Sequence, residues 1–193
     1  MKLLSLITIF IISISPIFAH QYVALDVGTS DLNLTNASHS GLKVGLKAGI
    51  KYGYVFENGF RPEFECSYRK NSYSTKYTIG EQDFTVSKEY NNFHSWCYMV
   101  NGFYDLSKLS VSDIVPYLGV GVGYCQSVQH KKLRQIIGSS SSKLRDSRFA
   151  YQGILGAKFA INDIYSTAVE YHYFCGQDHA KSHSVELALV RNF

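Results

Sequence analysis

Past its first nineteen residues, the chain has no apolar run approaching the ~20 residues that a membrane-spanning helix needs. Helical membrane architecture is thereby excluded for residues 20–193. Only Pro62 and Pro116 of its three prolines lie in that part, and the length suits a single domain. Charge of one sign is scarce too: with Lys2 set aside, 18 Lys and Arg face 15 Asp and Glu, a net charge of +3. That is too little to argue for nucleic acid. The four cysteines, Cys66, Cys97, Cys125 and Cys175, have no metal-ligand spacing, and no metal or other cofactor is expected.

What is present begins with the N-terminus. Lys2 precedes an apolar run from Leu3 to Phe18, broken only by Ser, Thr and Pro16, and small Ala19 follows. This is the order of a secretory signal peptide. The expectation is a signal over 1–19 and one domain over 20–193. Export to an oxidising compartment allows up to two disulfides in three pairings. Every cysteine also lies within a predicted strand or at its end, where a free thiol serves as a small apolar residue, so free thiols stay open.

Residues 20–193 alternate with period two. From Leu42, the residues Val44, Leu46, Ala48, Ile50, Tyr52, Tyr54 and Phe56 share one face, and Lys43, Gly45, Lys47, Gly49, Lys51 and Gly53 the other. Glycine at that density would ruin a helix. On the inner face of a tightly curved wall it relieves crowding. Strands are predicted over 21–28, 42–56, 60–69, 92–105, 115–126, 148–161, 165–174 and 183–193. The connections alternate between long (29–41, 70–91, 127–147, 175–182) and short (57–59, 106–114, 162–164). Long loops outside and short turns on the periplasmic side are the grammar of outer-membrane barrels. The predicted fold is therefore all-β: an eight-stranded antiparallel transmembrane β-barrel of up-and-down topology. Tyr54, Phe56, Phe60, Tyr104 and Phe193 at one end, and Tyr68, Trp96, Phe149, Tyr151 and Tyr173 at the other, are candidates for its aromatic girdles.

The stretches VPYLGVGVGY (115–124), YQGILGAKF (151–159), VEYHYF (169–174) and VELALVRNF (185–193) resemble those of small OmpA-like or opacity-type outer-membrane β-barrels, a family that includes porin-family surface antigens. The resemblance covers essentially all of 20–193. It implies residence in the outer membrane of a Gram-negative bacterium, contact with its lipid and lipopolysaccharide, and assembly by the barrel-assembly machinery through a C-terminal strand ending on Phe193. The sequence shows no sign of the peptidoglycan-binding domain that larger relatives carry after the last strand, and a barrel alone is expected. A monomer is expected.

Several residues are candidates for function. In this register Lys43, Lys47, Lys51, Arg61, Glu63, Glu65, Arg69, Lys158, Glu170, His172 and Glu186 face the lumen. They would either line a constriction or pair as a salt-bridged plug, and pairing is favoured because an eight-stranded lumen is about filled by side chains and unpaired buried charge is costly. The third long loop holds His130 and a candidate anion-binding set, Lys131, Lys132, Arg134, Lys143, Arg145 and Arg148, opposed only by Asp146. It suits phosphates of lipopolysaccharide or an acidic host glycan. His172, Asp178, His179, Ser182 and His183 invite comparison with barrel-embedded lipid hydrolases, but most of them fall in a predicted loop and no nucleophile-and-base motif is evident.

The reading is a non-catalytic structural or surface-interaction protein, adhesin- or antigen-like, acting through four external loops. The alternatives are a secreted lipocalin-like binder of an apolar ligand, a narrow channel and a barrel-embedded lipid hydrolase. Alternation alone does not say which face is inside.

Overall fold

A computed structural model describes residues 19–33, 45–78, 85–135, 138–176 and 181–193, and within them the side chains of 20–31, 45–71, 92–128, 146–176 and 181–193. Eight strands follow one another: β1 (Ala19–Asn33), β2 (Gly45–Phe56), β3 (Phe60–Thr78), β4 (Thr85–Asp105), β5 (Ile114–Gln135), β6 (Gly138–Ala160), β7 (Tyr165–Gly176) and β8 (Lys181–Asn192). Each pairs antiparallel with its neighbours in sequence, and β1 pairs with β8 through such partners as Leu25 and Leu189, closing the barrel. Closure removes the free edges that an open sheet would present to lipid.

The short turns form for local reasons. Gly59 adopts φ +83°, a left-handed conformation that glycine tolerates without a Cβ penalty. The Asn58 Oδ1 accepts from the Phe60 amide at 3.0 Å, and the Asn162 Oδ1 accepts from the amides of Ile164 and Tyr165 at 2.9 and 2.7 Å. The remaining short connection, 106–114, carries a single 3-10 turn, Ser107–Leu109.

Two of the predicted long loops are corrected. β3 runs to Thr78 and β4 starts at Thr85, while β5 runs to Gln135 and β6 starts at Gly138, so most of 70–91 and 127–147 is strand. The register continues without a break up to Tyr77–Ser87 on one hairpin and Gln135–Gly138 on the other. Alternation failed to reveal these segments because it marks strands with one apolar face. Here polar residues occupy both faces, and the backbone pairing continues through them.

Inside and outside are inverted relative to a soluble protein. The wall exposes Leu25, Val27, Ile50, Val120, Leu155, Leu187 and Leu189, with Val120 71% exposed, while Lys47, Lys51, Glu65, His172 and Glu186 are buried in the lumen at 0–1%. A lipocalin needs the opposite: an apolar interior around its ligand. Its signature does not fit this chain.

The lumen is crowded. A Cβ at Gly156 would lie 2.4 Å from the Tyr117 ring, and one at Gly121 would lie 2.0 Å from the Asn101 Oδ1. Glycine on the inner wall makes room for large polar side chains reaching across. Cys97 and Cys125, directly opposite on β4 and β5, form a disulfide facing this lumen, whereas Cys66 and Cys175 are free thiols.

Candidate functional site: a charged lumen beneath an extended sheet

Lumen positions recur every second residue along each strand, so polar residues at that parity are brought together whatever their distance in sequence. All eight strands contribute. Lys47 on β2 reaches Glu65 on β3 and Glu186 on β8, each at 2.8 Å. Four residues further along β2, Lys51 meets Glu170 on β7 at 2.5 Å, with Asp26 on β1 at 3.7 Å and Glu186 at 3.9 Å. His172 closes the group, its Nε2 lying 2.7 Å from Glu170 and 3.2 Å from Glu186.

Neutral donors reach several of the other carboxylate oxygens, while both oxygens of Asp26 have no hydrogen-bond partner among the described residues. Tyr22 donates to Glu63 at 2.7 Å and Tyr117 donates to Glu170 at 2.6 Å. The Asn101 amide donates to Glu63 and Glu65 at 3.1 Å, and the Gln152 amide donates to Glu65 at 2.9 Å. Such bonds matter because a buried charge is tolerable only when both its charge and its lone pairs are met.

Two arginines extend the plug along the axis. The Arg61 guanidinium lies over the rings of Tyr117 and Phe103 at 4.5 and 4.7 Å, with Asp105 at 3.5 Å. Arg69 stacks over Phe174 at 4.0 Å. Lys158 sits nearer the short-turn end, half-buried, and reaches Asp105 at 3.3 Å. Of the sequence candidates, Lys47, Lys51, Arg61, Glu63, Glu65, Arg69, Lys158, Glu170, His172 and Glu186 thus occupy one connected interior. Lys43 lies outside the described residues.

Sequence reasoning missed Tyr22, Asp26, Asn101, Asp105, Tyr117 and Gln152. Parity was the available signal. Asp26 alternates with Leu25 and Val27 and shares its face with Tyr22, Ala24 and Gly28. Its neutral partners are too ordinary in type to stand out before the register is known.

Glu170, His172 and Glu186 offer ligand atoms within 4.8 Å of one another, the spacing of a metal site. The Lys51 ammonium already lies against Glu170, and the Lys47 ammonium against Glu186. The position a divalent ion would neutralise is thus served by side chains. Nor do the hydrolase candidates converge. Ser182 and Ser30 share a hydrogen bond of 2.9 Å, His172 is engaged by Glu170 and Glu186, and His183 meets the Tyr171 hydroxyl at 2.5 Å on the wall side. Asp178 and His179 lie outside the described residues.

The basic set of the third long connection is split by its strand character. By register, Lys132, Arg134, Lys143 and Arg145 occupy positions of wall parity, and Lys131 and Arg148 positions of lumen parity. The side chains of Lys131, Lys132, Arg134, Lys143 and Arg145 lie outside the described set. Arg148 pairs with Asp146. Phe193 follows β8, its amide donating to the Gln21 carbonyl at 2.9 Å and the Arg191 guanidinium lying 4.8 Å over its ring.

Solved structures with the same architecture are remote in sequence. The chain is similar to neisserial surface protein A (16% identity, TM-score 0.56, covering 90% of this chain and 97% of that one). It is similar to Ail, the attachment invasion locus protein of Yersinia pestis, solved in complex with the heparin analogue sucrose octasulfate (14%, TM-score 0.56, 92% and 100%). It is also similar to the outer membrane protein OprG of Pseudomonas aeruginosa (14%, TM-score 0.50, 91% and 97%). At such identities the likeness establishes the fold alone. No curated protein sequence matches the chain. Residues 6–193 match the family model of the outer membrane protein beta-barrel domain, so the chain belongs to that family and is a barrel of the cell outer membrane.

Proposed function

We propose that the protein is a monomeric, non-catalytic display scaffold: a plugged barrel that holds two long hairpins, β3–β4 and β5–β6, at the cell surface for contact with a ligand or host structure. The observation that carries this reading is the division of labour between the two ends. The lumen is spent on the Lys47, Lys51, Glu65, Glu170 and Glu186 network, which leaves it no role as a conduit. The strands of β3–β6 have 19 to 23 residues, well beyond the ~9 to 11 that a bilayer needs. In this reading residues 1–19 are removed on export, short turns face the periplasm, and Phe193 is read by the assembly machinery.

Two measurements on one sample test it. The native protein is isolated from the outer-membrane fraction, compared on detergent gels boiled and unboiled, and then reconstituted in planar bilayers. A mobility change on boiling, with no discrete conductance steps and with His20 at the N-terminus, is the expected result. Regular conductance steps would replace the scaffold reading with a channel. Trypsin applied to intact cells should cut between 130 and 145, and protection of that segment would place the hairpins on the wrong side.

A further inference from the structure

The register of the extension sorts its charges onto one face. Above the aromatic rows formed by Cys66, Tyr98, Tyr124 and Phe149 and by Tyr68, Trp96, Gln126 and Ser147, four more rows of wall parity cross β3, β4, β5 and β6. They read Lys70–His94–Val128–Arg145, then Ser72–Asn92–His130–Lys143, then Ser74–Tyr90–Lys132–Ser141, and finally Lys76–Lys88–Arg134–Ser139. These rows hold seven Lys or Arg, two His and no carboxylate. The three lumen-parity rows between them hold one Lys, Lys131, and one acid, Glu89.

We propose that this face binds the phosphate groups of glycolipids in the outer leaflet of the protein's own membrane. The proposal rests on the surface-display reading and gives its ligand a chemical class and a position. Three features point there. First, the rows continue the lipid-facing wall on the same four strands with the same parity, so what they meet lies beside the barrel, not above it. Second, height fits. The Lys70 row lies two residues beyond the Tyr68 row, and the Lys76 row eight residues beyond it. At ~3.3 Å per residue and a tilt of ~40°, these are roughly 5 and 20 Å above the girdle, from the headgroup layer into the sugar region. Third, Lys76 and Lys88 are directly opposite, and Lys88 is directly opposite Arg134. Like charges at cross-strand positions oppose pairing. A phosphate between them removes that repulsion and forms charge-assisted hydrogen bonds.

The full-length processed protein, folded in detergent and shown to shift on boiling, is titrated in that detergent with a bis-phosphorylated lipid A-type glycolipid or its dephosphorylated form, so that the lipid enters the micelle beside the barrel. Binding should require the phosphates and weaken with salt. The triple variant Lys76→Gln, Lys88→Gln, Arg134→Gln should lose on the order of tenfold in affinity while keeping its boiling shift. Adjacent residues on opposite faces give the sharper arm: Lys132→Gln should weaken binding and Lys131→Gln should not. Equal effects of these two, undiminished binding to the dephosphorylated lipid, or tighter binding of a soluble sulfated polysaccharide than of the glycolipid would each overturn the proposal. A parent protein without any boiling shift would instead overturn the barrel scaffold on which it rests, so the two failures are told apart.

Discussion

Lysine occurs both in the lumen and on the extended sheet, yet the residues that share its register rows differ. Lys47 and Lys51, four residues apart on β2, are buried and meet carboxylates from other strands at 2.8 and 2.5 Å. Lys76 and Lys88, opposite each other at the far ends of β3 and β4, share a face whose register positions hold no acid. The same residue type closes one region and opens the other. Where solvent is excluded, charge must be balanced within the chain. In the reading proposed for the hairpins, water beyond the bilayer tolerates an unbalanced register face, which a counter-charge from outside can meet.

The comparison is broken most severely by removing a lumen cation. Lys51→Met strands Glu170 and Asp26 in the interior, and it should destabilise the folded barrel by about 3–5 kcal/mol, read as a lower urea midpoint for the boiling-sensitive form. Adding Glu170→Gln to that variant should recover part of the loss, because it removes one of the two stranded charges. A double variant no more stable than the single one would mean the pair is not coupled.

Cys97→Ser together with Cys125→Ser comes next. The disulfide spans 28 residues of sequence, and its removal should cost about 2–4 kcal/mol, matched by adding a reductant to the parent protein. An unchanged midpoint under reducing conditions would deny it a stabilising role. Gly156→Leu should follow at about 1–3 kcal/mol, since the new side chain enters the space of the Tyr117 ring. Gly153→Ala, where nothing lies within 4 Å of the added Cβ, is its wall-side control and should change the midpoint far less.

The smallest effect belongs to a pair above the girdle. Asp146 and Arg148 form an ion pair with side chains 49% and 38% exposed, and Asp146→Asn should move stability by less than about 1 kcal/mol. A loss as large as that of Lys51→Met would erase the distinction between the two regions.

Much of the barrel was legible along the chain because half of each strand faces an apolar surround. Leu25 and Val27, or Leu187 and Leu189, announce a wall, and Gly49 and Lys51 announce the other face. The ends of β3 to β6 were not legible, for in 70–78, 85–91, 127–135 and 138–147 neither face is consistently apolar, while the pairing of β3 with β4 and of β5 with β6 continues through them. For the candidate site, parity placed Lys47, Glu65, Glu170 and Glu186 on the inner face. It did not say that Lys47 would choose Glu65 and Glu186, or that Asn101 and Gln152 would both donate to Glu65.

Sequence by itself determined the strand number, the up-and-down order and which residues share a face, since these depend only on local period and turn chemistry. Tertiary structure decided the rest: which of two faces is the inside, which of the cysteines pair, which charges meet across the lumen, and how the basic residues of two distant hairpins line up in rows. Those outcomes depend on barrel closure and on the register between strands, and register is set by the contacts of the whole ring, not by any one segment of it.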